Sequence, residues 1–67
     1  MTPEQCRAAR ALANISQEQL AEAAEVAKAT IANFEVGKRT PYKRTLAAIQ
    51  TALEAQGVRF TADGVSK

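Results

Sequence analysis

The sequence is poor in the groups that most often carry chemistry. It has no histidine and a single cysteine, Cys6, in 67 residues. A lone cysteine closes no disulfide within the chain. Without histidine there is no partner set for a metal ion, so neither a metal nor another cofactor is expected. Cys6 reads as a small apolar residue on a helix, with an intermolecular disulfide or redox switch as the alternative. No apolar run approaches the length of a membrane span, and the N-terminus carries no signal-peptide pattern. No membrane contact and a cytoplasmic location follow as expectations. No paired carboxylates stand where a cleft would form, and so short a chain closes no deep pocket, which sets enzymatic function aside. Aromatic residues are limited to two phenylalanines and one tyrosine, so Leu, Ile, Val and small residues must build most of the core.

What is present favours helices. Apolar residues make up 46% of the chain, alanine foremost, and alanine is the strongest helix former. The expected architecture is all-α: one compact domain of four to five helices. A chain of this length buries about 60% of its unfolded surface, so dense helix packing or a partner subunit should support it.

Local signals place the elements. Thr2 and Gln5 have capping-box spacing around Pro3, which predicts a first helix to Ala13 with Cys6, Ala9, Arg10 and Ala13 on one face. Asn14 suits the left-handed residue that ends it. Ser16 and Gln19 repeat the capping spacing and open a second helix over 17–24, with Leu20, Ala21 and Ala24 inward. A turn at Glu25 and Val26 leads to a third helix over 28–36, held by Ile31 and Phe34 and stopped by Gly37. A fourth helix spans 43–56, with Leu46, Ile49, Ala52 and Leu53 inward and Gly57 at its end. Val58-Arg59-Phe60 alternates like a short strand. With no evident partner in the chain, it either packs as an arm or pairs with the same segment of a second subunit. The polar tail from Thr61 is expected to be mobile.

Charge is distributed unevenly. Lys38, Arg39, Lys43 and Arg44 follow the third helix with no acid among them. This run is either plain solvated surface or a phosphate footprint. Two short helices joined by a tight turn fit a major groove about 12 Å wide, with the second helix inserted. The outward face of that helix is Lys28, Ala29, Ala32 and Asn33. Lys28 suits guanine O6 and N7, or a phosphate. Asn33 suits adenine N6 and N7. Ala29 and Ala32 offer only methyl contact.

An ordered set of residues then resembles a known family. Ser16-Gln17-Glu18-Gln19-Leu20-Ala21, Val26 through Glu35, Gly37-Lys38-Arg39-Thr40-Pro41, and Thr45-Leu46 are similar to the phage-repressor and Cro type of helix-turn-helix, often called the Xre family. The likeness covers about Arg10 to Leu53. It implies that Lys28, Ala29, Ala32 and Asn33 read bases. It also implies phosphate contacts from Gln17 and from the stretch containing Lys38, Arg39, Lys43 and Arg44, and a partly buried ion pair between Arg10 and Glu35. Three residues depart from the pattern. Glu25 stands where glycine is usual, which predicts a different local turn. Ala27 replaces a capping serine or threonine. Tyr42 takes the cap position of the fourth helix, where its ring would pack on the loop and its hydroxyl would meet a phosphate.

The function expected from all this is sequence-specific binding of double-stranded DNA by a homodimeric transcriptional regulator, a repressor acting on a near-palindromic operator. Leu53, Val58 and Phe60 are the expected dimer contacts. The alternative is a protein-interaction module of the same fold, such as an antitoxin-like or anti-activator protein.

Overall fold

Helix ends dominate the local logic of this chain. The computed structural model describes residues 1–67. Its elements run α1 (Pro3–Ala13), α2 (Gln17–Ala24), α3 (Lys28–Glu35), α4 (Lys43–Ala55), β1 (Arg59–Phe60) and β2 (Val65–Ser66). Both expected capping boxes are formed. The Gln5 backbone N–H donates to the Thr2 hydroxyl, and Gln5 Oε1 accepts from the Thr2 backbone N–H at 2.8 Å. Ser16 and Gln19 repeat this arrangement at the start of α2.

All four helices stop in the same way. A residue with positive φ follows the last turn: Asn14, Glu25, Gly37 or Gly57. The next N–H then donates back across the turn: Ile15 to Arg10, Val26 to Ala21, Lys38 to Asn33, and Val58 to Leu53. This closes the last carbonyls that a helix leaves open. Glu25 thus corrects the expectation of a different turn, since it sits at φ 59° and ψ 45° in the left-handed region. Val26 explains why. It packs against the buried core beside α2, and that contact holds the turn despite the side chain at Glu25.

The core forms where α2 crosses α3 and α4. Leu20, Ala21 and Ala24 meet Ile31 and Phe34 from α3, and Ile49, Ala52 and Leu53 from α4. Cys6 and Ala9 close it from α1. Small residues at these crossings let the helix backbones approach closely. Leu53 and Val58 correct a second expectation. They were expected at a dimer surface, but are 0% and 2% exposed within a single chain. The turn at Gly57 folds Val58 back onto the end of α4, so the core claims both side chains. Phe60 is half-buried against the same core.

The C-terminal segment corrects a third. The short strand finds its partner inside the chain, because β1 pairs antiparallel with β2 through Arg59↔Ser66 and Phe60↔Val65. The tail expected to run free supplies that second strand. Gln5 pins the connecting turn: its Nε2 donates to the carbonyls of Thr61 and Gly64 at 3.0 and 3.1 Å. One side chain therefore caps α1 and holds the hairpin.

A left-handed conformation costs a residue with a Cβ roughly 1 kcal/mol. Glu25→Gly removes that cost, and nothing in the structure uses the Glu25 side chain. The variant should gain about 1 kcal/mol, or about 4–8 °C in Tm for a domain of this size, in a thermal melt followed by circular dichroism.

Candidate nucleic-acid interface

The position of α3 depends on a buried carboxylate in its last turn. Glu35 is 2% exposed. Its Oε2 accepts from Arg10 Nε at 2.7 Å and from Cys6 Sγ at 3.2 Å. Its Oε1 accepts from Arg10 Nη2 at 2.7 Å and from Gln17 Nε2 at 2.9 Å. The Arg7 guanidinium donates to the backbone carbonyl of the same residue. Arg10 Nη1 reaches on to the Ile15 carbonyl at 3.2 Å, between α1 and α2. Helices α1 and α2 thus both grip the end of α3, and no buried side-chain nitrogen or oxygen lacks a partner.

The electrostatics follow from this packing. Burial pushes the Glu35 pKa up, but hydrogen bonds from Arg10, Gln17 and Cys6 outweigh it and hold the carboxyl below its ordinary value. The hydrogen bond to Glu35 in turn raises the Arg10 pKa. Burial, then the hydrogen bond to Glu35 and its charge, pushes the Cys6 thiol up to about 12. Cys6 therefore stays protonated at neutral pH and acts as a donor. It is fully buried, which leaves no sulfur surface for a disulfide to a second chain.

With Ile31, Phe34 and Glu35 turned inward, α3 presents its other face. Lys28 and Ala29 are exposed there, and Ala32 and Asn33 are half-buried. Beside this face lies a groove of about 650 Å³, walled by Ala29, Thr30 and Asn33 on one side and by Arg39, Thr40, Pro41 and Tyr42 on the other. The Asn33 carbonyl accepts from the N–H groups of Lys38 and Arg39 at 2.9 and 3.2 Å, which fixes the basic loop relative to α3.

Two helices begin at this groove, and neither carries a side-chain cap. Ala27 precedes α3 and Tyr42 precedes α4, both line the groove, and neither side chain accepts from the first turn. First-turn N–H groups left without a side-chain acceptor, beside a run of cations, suit an anionic strand.

The expected site residues divide on inspection. Ala29, Asn33, Arg39 and Tyr42 come together around the groove. Lys28, Lys38, Lys43 and Arg44 are exposed, and Ala32 lies on the outward face of α3 without lining the groove. Gln17 has a different first duty, since its amide is turned inward to Glu35. The Tyr42 ring does not pack on the loop as expected. It is 87% exposed and stands at the edge of the groove. The sequence reading missed the hydroxyl-bearing Thr30, Thr40 and Thr45, which also line the groove. Their spacing carries no periodic signal. All three lie inside the stretches that resemble the family, but nothing there marks them as groove-lining.

Residues 7–56 match the model of a protein family described as helix-turn-helix. No curated protein matches the chain. No helix is long and apolar enough to cross a membrane.

Removing one partner of a buried ion pair costs about 3–5 kcal/mol, as much as a domain this small has in total. Arg10→Ala should therefore be largely unfolded at 25 °C by far-ultraviolet circular dichroism. The Glu35 carboxyl also sets a pH dependence. Its folded pKa lies below its unfolded one, so its contribution is complete above the ordinary glutamate value of about 4.3 and is lost as pH falls through the folded value. Urea midpoints should drop as pH falls below the ordinary glutamate value of about 4.3, and Glu35→Gln should be weaker at pH 7 but lose less as the solution is acidified.

Proposed function

The chain belongs to the helix-turn-helix family of the phage-repressor and Cro type, a family of DNA-binding transcriptional regulators, and from that premise we propose that it binds specific duplex DNA sequences as a homodimeric repressor. The observation that carries this reading is the groove between α3 and the basic loop, onto which two helix starts without side-chain caps open. A sugar-phosphate strand laid along it meets backbone N–H donors and the threonine hydroxyls, with Arg39 on its wall and Lys38, Lys43 and Arg44 nearby. These contacts position the protein without reading sequence. α3 then enters the major groove, where Lys28 addresses guanine and Asn33 addresses adenine. Gln17 supports the site by fixing Glu35. Its second amide proton and the N–H groups at the start of α2 are the groups that would reach a neighbouring phosphate.

Two polar readers on one helix specify few base pairs. A homodimer on a near-palindromic operator doubles the contacts, with the two recognition helices about 34 Å apart. Of the expected dimer residues, only Phe60 keeps exposed surface. Repression by occupancy of such an operator needs nothing beyond the DNA-binding face. The site of action is the chromosome, within the cytoplasm.

Affinity for a selected duplex should fall steeply with salt, as counterions are released. Lys43→Ala should weaken all duplexes alike and reduce the salt slope by about 1. Asn33→Ala should relax specificity at one or two positions, at a cost of about 1–3 kcal/mol, while leaving the thermal melt unchanged. Absence of duplex binding at low salt would instead support the protein-interaction alternative.

A further inference from the structure

We propose that the free edge of β1 pairs with the same edge of a second copy of this chain, about a two-fold axis between the two Phe60 residues. This rests on the homodimer proposed above and names its contact. β1 has two edges, and β2 takes one of them. The register sets Phe60 opposite Val65 and Arg59 opposite Ser66, and the Thr61 N–H donates to the Gly64 carbonyl at 2.9 Å. Bonded and non-bonded pairs alternate along an antiparallel ladder. Thr61 with Gly64 and Arg59 with Ser66 are therefore the bonded pairs, and the N–H and C=O of Phe60 point away from β2. The strand period of two puts the Val58 carbonyl and the Ala62 N–H on that same side. None of these groups has a hydrogen-bond partner within the chain. β2 is the strand beside α1, which leaves β1 outermost.

A second copy completes this edge in backbone, ring and charge. About the axis, each Phe60 N–H donates to the Phe60 carbonyl of the other copy, and each Ala62 N–H donates to the other's Val58 carbonyl. The Val58 N–H already donates to Leu53, so the pairing ends there. Phe60 is half-buried against its own core, and a second Phe60 directly opposite covers ring surface that the core leaves open. Arg59 and Asp63 are exposed, and neither has an ion partner within the chain, whose one salt bridge joins Arg10 to Glu35. On the outer face of the joined strands, Arg59 lies diagonal to Asp63 of the other copy, and the axis makes that attraction twice. No proline or lysine blunts the edge over residues 58–62. The groove lies at the start of α4 and the hairpin follows its end, roughly 20 Å away along 13 residues of helix. Pairing therefore leaves the groove open, and it needs no DNA to form.

Sedimentation equilibrium of the full chain, from about 10 µM to about 1 mM, is the first test. The mass should rise from 7.2 kDa toward twice that value. Hydrogen exchange followed by NMR reads the contact itself. The Phe60 and Ala62 amides should lose about tenfold in protection on dilution, while the Thr61 amide, bonded within the hairpin, should not change. Ala62→Pro removes an edge N–H and puts a ring in its place. Ala62 has negative φ at the first central position of the turn over 61–64, where proline is accepted. That variant should keep its circular dichroism spectrum and raise the dimer Kd about tenfold or more. Arg59→Asp and Asp63→Arg should each weaken the dimer about threefold, and the double variant should restore it. A chain that stays monomeric at about 1 mM, or a dimer whose Phe60 amide exchanges as freely as in the monomer, overturns the proposal. Duplex binding by such a chain would leave the DNA-binding reading standing. A dimer with a protected Phe60 amide that binds no duplex supports the pairing and overturns DNA binding alone.

Discussion

The structure depends first on one buried negative charge. A carboxylate such as Glu35, taken from water into a core of alanine and leucine, is unfavourable unless it is fully hydrogen-bonded. Here the two nitrogens of Arg10, the amide of Gln17 and the thiol of Cys6 complete it. Those donors come from α1 and α2, and the acceptor comes from α3. Satisfying the charge and fixing α3 are thus the same event. This also explains how a chain with so few large apolar residues holds three short helices in one arrangement. A hydrophobic core tolerates small slides, whereas a bidentate pair with a third and fourth donor does not.

The second constraint is how the helices end. Short helices leave a large share of their backbone groups unpaired. Each helix here resolves its C-terminus with a left-handed residue and a backward hydrogen bond. At the N-termini the solution is split. α1 and α2 have full capping boxes, while α3 and α4 have no side-chain cap at all. The two helices without caps are those that open on the groove. Stability on the groove side is lower than these sequences could reach, and the first-turn donors there have no side-chain acceptor.

Much of this was legible in the sequence, because much of it is local. Thr2, Ser16, Gln19, Asn14, Gly37 and Gly57, and Gln5 in its capping role, each act within a few residues of themselves, and most of the helix ends follow from them. What failed to show was non-local. Asp63-Gly64 is a short-range turn signal, yet strands of two residues carry too little alternation to announce a hairpin. The pinning of that turn by Gln5 joins residues far apart in the chain. Leu53 and Val58 read correctly as apolar, but an apolar position does not say whether its own core or a second subunit will cover it. Gln17 reads as a surface amide until the fold brings Glu35 beneath it. The ordered set from Ser16 to Leu46 was specific enough to indicate the helix-turn-helix, while the threonines of the groove emerged only from the packing of α3 against the loop.

The central claim is that α3 and the loop after it form the surface that meets duplex DNA. Chemical-shift mapping of the isotope-labelled chain, titrated with an enriched duplex, tests it most directly. The account predicts large shifts for the backbone amides of residues 28–33, 39–40 and 42–45. It predicts small ones for the hairpin and for the buried faces of α1 and α4. Strong shifts confined to the hairpin or to α1, with α3 unmoved, would contradict it.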